Sequence, residues 1–277
     1  MKHLSWLSIF RLGAVQLSLG AIVVLCTSTL NRLMVVEAAL PALLPGLLVG
    51  LHYAVQITRP SWGYRSDTGG NRTRFILGGM TVLALGAFLA ALGFVMMANL
   101  FWAGLALSVL AYALIGAGVG AAGTSLLALL ATTTHPRRRA AAATITWLMM
   151  IFGIAVTATV VGKLLDPYTP VLLLKLVGLV GVAAVTLTTL ALWGIEARHA
   201  RAAEPQPAAL PFRQGLAQIW AEPRARNFTL FIFLSMVAYF MQDLILEPYA
   251  GLAFGFSPGQ STQLSGAQNG GVFFGML

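Results

Sequence analysis

Apolar residues fill this chain in runs of about 20, separated by short segments that hold most of the Gly, Pro and Arg. A run of that length crosses a hydrocarbon layer of ~30 Å as a helix. The runs predict membrane spans near 12–31, 38–58, 75–97, 101–131, 140–164, 170–194 and 227–249. An eighth starts near Thr262 and meets the last residue, Leu277, before it is long enough to cross, so the sequence reads as cut short. The expected class is all-α and polytopic.

Composition agrees with that solvent, since 58% of residues are hydrophobic and 9% charged, against roughly 25% charged in a soluble domain. The net charge of +9 does not point to nucleic acid, because the Arg residues lie in clusters between the apolar runs. Counting alternate sides from a cytoplasmic N-terminus places fourteen Lys and Arg with four acids inside, and three with four acids outside. The positive-inside rule accounts for this bias and predicts a multi-pass inner-membrane protein with its N-terminus in the cytoplasm. The first run is long for a signal peptide and is read as a retained span.

Residues 195–226 contain Pro205, Pro207 and Pro211 and form the one clear linker. Its second half spaces Phe212, Leu216, Ile219 and Trp220 as on a helix beside Arg213, Arg224 and Arg226, the pattern of a helix lying in the membrane surface. The expected organisation is a six-span bundle over 1–194, a cytoplasmic linker with an interfacial helix over 195–226, and the start of a second bundle over 227–277.

Between spans two and three, Arg59 to Arg74 carry Gly63, Arg65, Asp67, Gly70, Arg72 and Arg74. This spacing resembles the cytoplasmic signature of the major facilitator superfamily. Glycines suit a tight path between helices, and Asp67 suits a cap or an ion pair with a nearby Arg. Gly116 and Gly120 in span four suit close helix approach. Span five has only Gly153 and Gly162, without the Gly and Pro cluster expected of a proton-coupled drug antiporter.

Polar groups at membrane depth are few, and each is a functional candidate because burying it is costly. His52, Gln16 and Gln56 are candidate pigment or substrate contacts, the imidazole being able to ligate a chlorin magnesium or to bond a neighbouring helix. Asn31, Arg32 and Glu37 at the outer end of span one, with Asp243 and Glu247 one turn apart on span seven, are candidate gate or proton sites. With no nucleophile–base pair, phosphate loop or metal-ligand cluster in the sequence, no catalytic residue, no metal and no required cofactor are expected, and the chain reads as a non-enzyme.

Three segments carry a narrower resemblance: Thr29 to Pro60, Gly63 to Arg74, and Phe240 to Met276, which includes Gln-Asp-Leu-Ile-Leu-Glu-Pro-Tyr. They resemble the PucC/LhaA family of photosynthetic bacteria, the bacteriochlorophyll delivery branch of the major facilitator superfamily, and the chain would be its N-terminal part. The resemblance implies that fold, comprising the first six-span half, span seven and part of span eight. It implies assembly of light-harvesting antenna complexes, with bacteriochlorophyll a or its precursor as ligand. Implied partners are membrane lipid, antenna alpha and beta polypeptides, chlorophyll synthase and the membrane insertion machinery. A proton-coupled exporter of a lipophilic molecule and a protein-only scaffold for antenna polypeptides are the rival readings.

Overall fold

The computed structural model describes residues 4–68, 71–196 and 212–276, and within these the secondary structure is helical with no strand. Helix α1 runs Trp6–Glu37, α2 Leu43–Val55, α3 Arg59–Thr68 and α4 Arg72–Met97. Helices α5 Phe101–Thr133, α6 Arg139–Leu164 and α7 Pro170–Leu192 follow. The last four are α8 Phe212–Ala221, α9 Pro223–Phe240, α10 Asp243–Phe254 and α11 Pro258–Gly275.

Five of the described helices are long and apolar enough to cross a membrane: α1, α4, α5, α6 with the turn before it, and α7. The chain is an all-α, multi-pass membrane protein. The expected second and seventh spans differ in form from these. The second is a 13-residue α2 that tightens into a 3-10 turn over Gln56–Thr58 and leads into α3. The seventh is divided, α9 giving way at Met241 and Gln242 to the 12-residue α10, which ends at Gly255 in the left-handed conformation.

Helix α1 extends six residues past the expected end at Asn31, because two π-turns, Leu25–Thr29 and Leu33–Glu37, carry it on through Arg32. Asn31, Arg32 and Glu37 therefore belong to one helix rather than to a connector. Ser5 caps its N-terminus by accepting from the Ser8 N–H.

Close backbone approach holds the bundle. α4 lies against α5 through paired glycines, where a Cβ on Gly79 would fall 2.6 Å from Ala122 N and one on Gly118 2.6 Å from Leu83 N. α1 packs on α6 at Gly20, where a Cβ would fall 2.5 Å from the Met150 carbonyl oxygen. α11 packs on α6, and α2 and α3 pack on α5. Between lipid-like surfaces such small-residue contacts and backbone dispersion drive association, since apolar burial gives little preference for helix over lipid. Gly116 and Gly120 face α2 and α3, toward the His52 carbonyl and Trp62, whereas Gly118 faces α4. The spacing read as a packing motif thus serves two neighbours.

One end of the bundle gathers the Arg-rich connectors. There Arg11 donates to the Leu190 and Trp193 carbonyls, at 3.2 and 2.6 Å, and the Leu4 N–H donates to Thr133 O. The opposite end is tied by Asp166, which accepts from Ser257 Oγ at 2.5 Å, and by the contacts of Arg32.

Candidate functional site

A buried polar cluster lies where α1, α10 and α11 meet. Pro248 has no N–H, so the Leu244 carbonyl four residues before it lacks its helical donor. Asn31 supplies one, its side-chain N–H reaching Leu244 O at 2.8 Å. A neighbouring helix satisfying a proline-freed carbonyl is how a broken helix is tolerated at membrane depth. The first π-turn leaves a similar need, and the Tyr112 hydroxyl of α5 donates to Cys26 O at 2.8 Å.

Arg32 follows Asn31 and is 1% exposed. Its Nη1 donates to Glu37 Oε1 at 2.6 Å and its Nη2 to the Phe256 carbonyl at 2.5 Å, beyond the end of α10. Its Nε is buried without a partner among the described residues. Glu247 is also fully buried, and Ser265 and Thr262 of α11 donate to its two carboxylate oxygens at 2.5 and 3.4 Å. Thr262 in turn bonds Thr29 of α1 at 3.3 Å. Of the five residues expected as gate or proton sites, Asn31, Arg32, Glu37 and Glu247 join in this cluster. Asp243 opens α10, and its side chain lies outside the described residues.

The three expected pigment contacts divide. Gln56 accepts from Arg59 through Oε1, so its amide N–H₂ faces His52, and the two side chains meet at 2.9 Å. His52 Nε2 is then the acceptor and Nδ1 carries the proton in the neutral ring, buried without a partner among the described residues. Gln16 of α1 instead donates toward the Met150 sulfur of α6 at 3.9 Å. Neither of two described cavities is lined by His52, Gln16 or Gln56.

The expected signature loop is largely helical. Gly63, Arg65 and Asp67 lie on α3, where Gly63 admits Thr124 of α5 and Arg65 lies 5.6 Å from the Trp62 ring centre. Asp67 does not cap a helix. It pairs with Arg72 at 2.7 Å, and Arg72 also donates to Thr132 of α5 at 2.8 Å. Asn71 caps α4, accepting from the Arg74 N–H at 3.1 Å, and Gly70 lies outside the described residues. Much of the expected linker, 197–211, does so too.

Sequence reading missed two partners. Glu196, placed in the linker, accepts from the N–H groups of Arg72 and Thr73 at 2.8 Å each, an anion at the start of α4. Ser265 was an unremarked polar residue in an apolar run. Only its position one turn beyond Ser261 and Thr262 hinted at a polar face.

The sequence profile of a family described as PUCC protein matches residues 29–277. The chain belongs to the PucC family. It is similar to the bacteriochlorophyll synthase 44.5 kDa chain of Rhodobacter capsulatus, 67% identical over 276 residues, covering 99% of this chain and 64% of that protein. Protein PucC of Rhodobacter capsulatus is 29% identical over 93% of this chain and 59% of its own length. Protein PucC of Cereibacter sphaeroides is 29% identical over 96% and 61%. This PucC-family chain thus spans about three fifths of the length of these relatives. The 67% identical relative bears the name of a synthase chain, and this corrects the non-enzyme expectation. A missing nucleophile–base pair excludes only the catalysis that requires one.

Proposed function

We infer that this chain handles bacteriochlorophyll or its precursor within the bacterial inner membrane, binding it or handing it on as light-harvesting antenna complexes are assembled. The observation that carries this reading is the buried polar crossing of α1, α10 and α11 in an otherwise apolar bundle, found in a PucC-family chain. Apolar walls with a few fixed polar groups suit a lipophilic tetrapyrrole better than a sugar or an ion. Short or proline-interrupted spans are also where many secondary transporters place their ligand sites. In this reading the Arg-rich end is cytoplasmic, 1–194 is the six-span half of that fold, and 195–226 links it to the start of a second. Partners follow from the same reading: antenna alpha and beta polypeptides, chlorophyll synthase and the insertion machinery. The name of the synthase-chain relative supports placing this work at or next to pigment synthesis.

The test is deletion of the full-length gene, followed by antenna absorbance and pigment analysis of the membranes. Reduced assembled antenna is the expected result, and normal antenna absorbance would sink the reading. Purification with antenna polypeptides but without pigment would instead favour a protein-only scaffold.

A proton-coupled exporter is the second reading, favoured by one observation: Glu247 is fully buried, and among the described residues its hydrogen bonds come from hydroxyls. Efflux driven by a proton gradient and abolished by Glu247→Gln would support it over pigment handling.

A further inference from the structure

At the end of the bundle away from the Arg-rich connectors, a cavity of about 330 Å³ opens between the C-terminus of α1, the α4–α5 turn and the start of α7. Its polar wall is Glu37 and Tyr168, and its apolar wall includes Phe94, Met97 and Phe101. Glu37 gives Oε1 to Arg32, while Oε2 and the Tyr168 hydroxyl have no hydrogen-bond partner among the described residues. Arg32 is 1% exposed and stands behind Glu37, so the group presented to the cavity is the carboxylate. Asp166, two residues from Tyr168, adds a second negative charge to this end.

The level in the membrane is marked by Leu100 and Trp102, exposed beside Phe101, as residues of an interfacial belt are. At the small end of ligand-sized cavities, roughly 300–1,000 Å³, the space takes a headgroup rather than a macrocycle. A carboxylate and a phenol oxygen accept N–H donors, and aromatic faces attract a cation. An anionic headgroup would meet Glu37 with like charge.

We propose that this cavity binds the ammonium headgroup of a phosphatidylethanolamine-type lipid, with Glu37 and Tyr168 accepting from the ammonium and Phe94 and Phe101 enclosing it. The lipid's chains lie along the apolar surface below, and the site adjoins the α1–α10–α11 crossing through the Glu37–Arg32 pair.

Native mass spectrometry of the purified chain, released from nanodiscs of phosphatidylethanolamine and phosphatidylglycerol in equal parts, tests it. Preferential retention of about one phosphatidylethanolamine is expected, falling about tenfold in Glu37→Gln. Because Glu37→Gln also disturbs Arg32, Ala98→Phe is the second variant; it fills the cavity and leaves the ion pair alone. It should lose the lipid while keeping the unfolding temperature of the parent. Equal retention of the two lipids, preference for phosphatidylglycerol, or undiminished phosphatidylethanolamine in a folded Ala98→Phe would overturn the proposal.

Discussion

The Asn31 side chain donates to the Leu244 carbonyl, the one that Pro248 deprives of its helical partner. The bond joins α1 to α10 and makes an irregular helix self-consistent at membrane depth. An interhelical bond of this kind contributes about 1 kcal/mol in a membrane. Asn31→Leu should therefore lower stability in detergent by roughly that amount. Pro248→Ala restores the N–H, so Asn31→Leu combined with Pro248→Ala should recover most of the loss. Additive losses in the double-mutant cycle would show that Asn31 does not serve that carbonyl.

Removing one member of the Arg32–Glu37 pair should be asymmetric. Glu37→Ala leaves a guanidinium that is 1% exposed with the Phe256 carbonyl as its one remaining acceptor among the described residues, and stranding a buried charge costs about 3 kcal/mol. Arg32→Leu leaves a carboxylate that is 37% exposed and open to water, a smaller cost. The double variant should be more stable than Glu37→Ala alone. Denaturant unfolding in detergent measures all three, and a double variant less stable than either single one would contradict this account.

Gly116 and Gly123 lie on the same helix and should respond oppositely to the same change. A Cβ on Gly116 would fall 2.5 Å from the His52 carbonyl oxygen, and a backbone atom cannot yield cheaply. A Cβ on Gly123 meets nothing within 4 Å. Gly116→Ala should cost about 1–3 kcal/mol by overpacking, and Gly123→Ala should be neutral or slightly stabilising. Equal effects on the unfolding temperature would show that α2 does not approach α5 this closely.

Much of the fold was legible because lipid imposes a simple code. Long apolar runs became α1, α4, α5, α6 and α7, the last four with ends near those expected, and clustered Arg marked one end of the bundle. Illegible features were those set by a distant partner. Nothing local says that α1 continues through Arg32, since two π-turns are stabilised by Tyr112 and by the α10–α11 connection. Nothing local says that Glu196 serves the N-terminus of α4, more than 120 positions away in sequence. The candidate site was half legible: scarcity of charge singled out Asn31, Arg32 and Glu247, but periodicity alone could not pair Asn31 with a proline four residues beyond Leu244. Conversely, His52 and Gln16 shared a property in the sequence and share no contact in the fold.

Tyr168 offers a titration test. Burial first, and then the negative charge of Glu37, push its phenol above the ordinary value of 10.0. The folded state therefore holds the proton where the unfolded chain releases it. This contribution is present in full below pH 10.0 and is lost as pH rises through the folded value. Ultraviolet titration in detergent should place its ionisation above that of a free phenol. Glu37→Gln should bring the midpoint part of the way back, burial remaining, and an unchanged midpoint would show that Glu37 does not face Tyr168.

His52 separates two meanings of a buried histidine. The Arg59 contact fixes the Gln56 amide, Gln56 donates to His52 Nε2, and the lone pair that a chlorin magnesium would need is already engaged. The ring is thus part of a relay that orders the α2–α3 bend, where Arg59 begins α3. His52→Ala should lower stability by about 1 kcal/mol, the worth of one such bond. It should also leave unchanged the absorbance maximum and stoichiometry of any bacteriochlorophyll that co-purifies. A shifted maximum or lost pigment in a folded His52→Ala protein would mean that the ring turns away from Gln56 to ligate the metal. Gln56→Leu should in that event strengthen pigment retention, because it frees Nε2, whereas the relay account has Gln56→Leu lower stability without any spectral change.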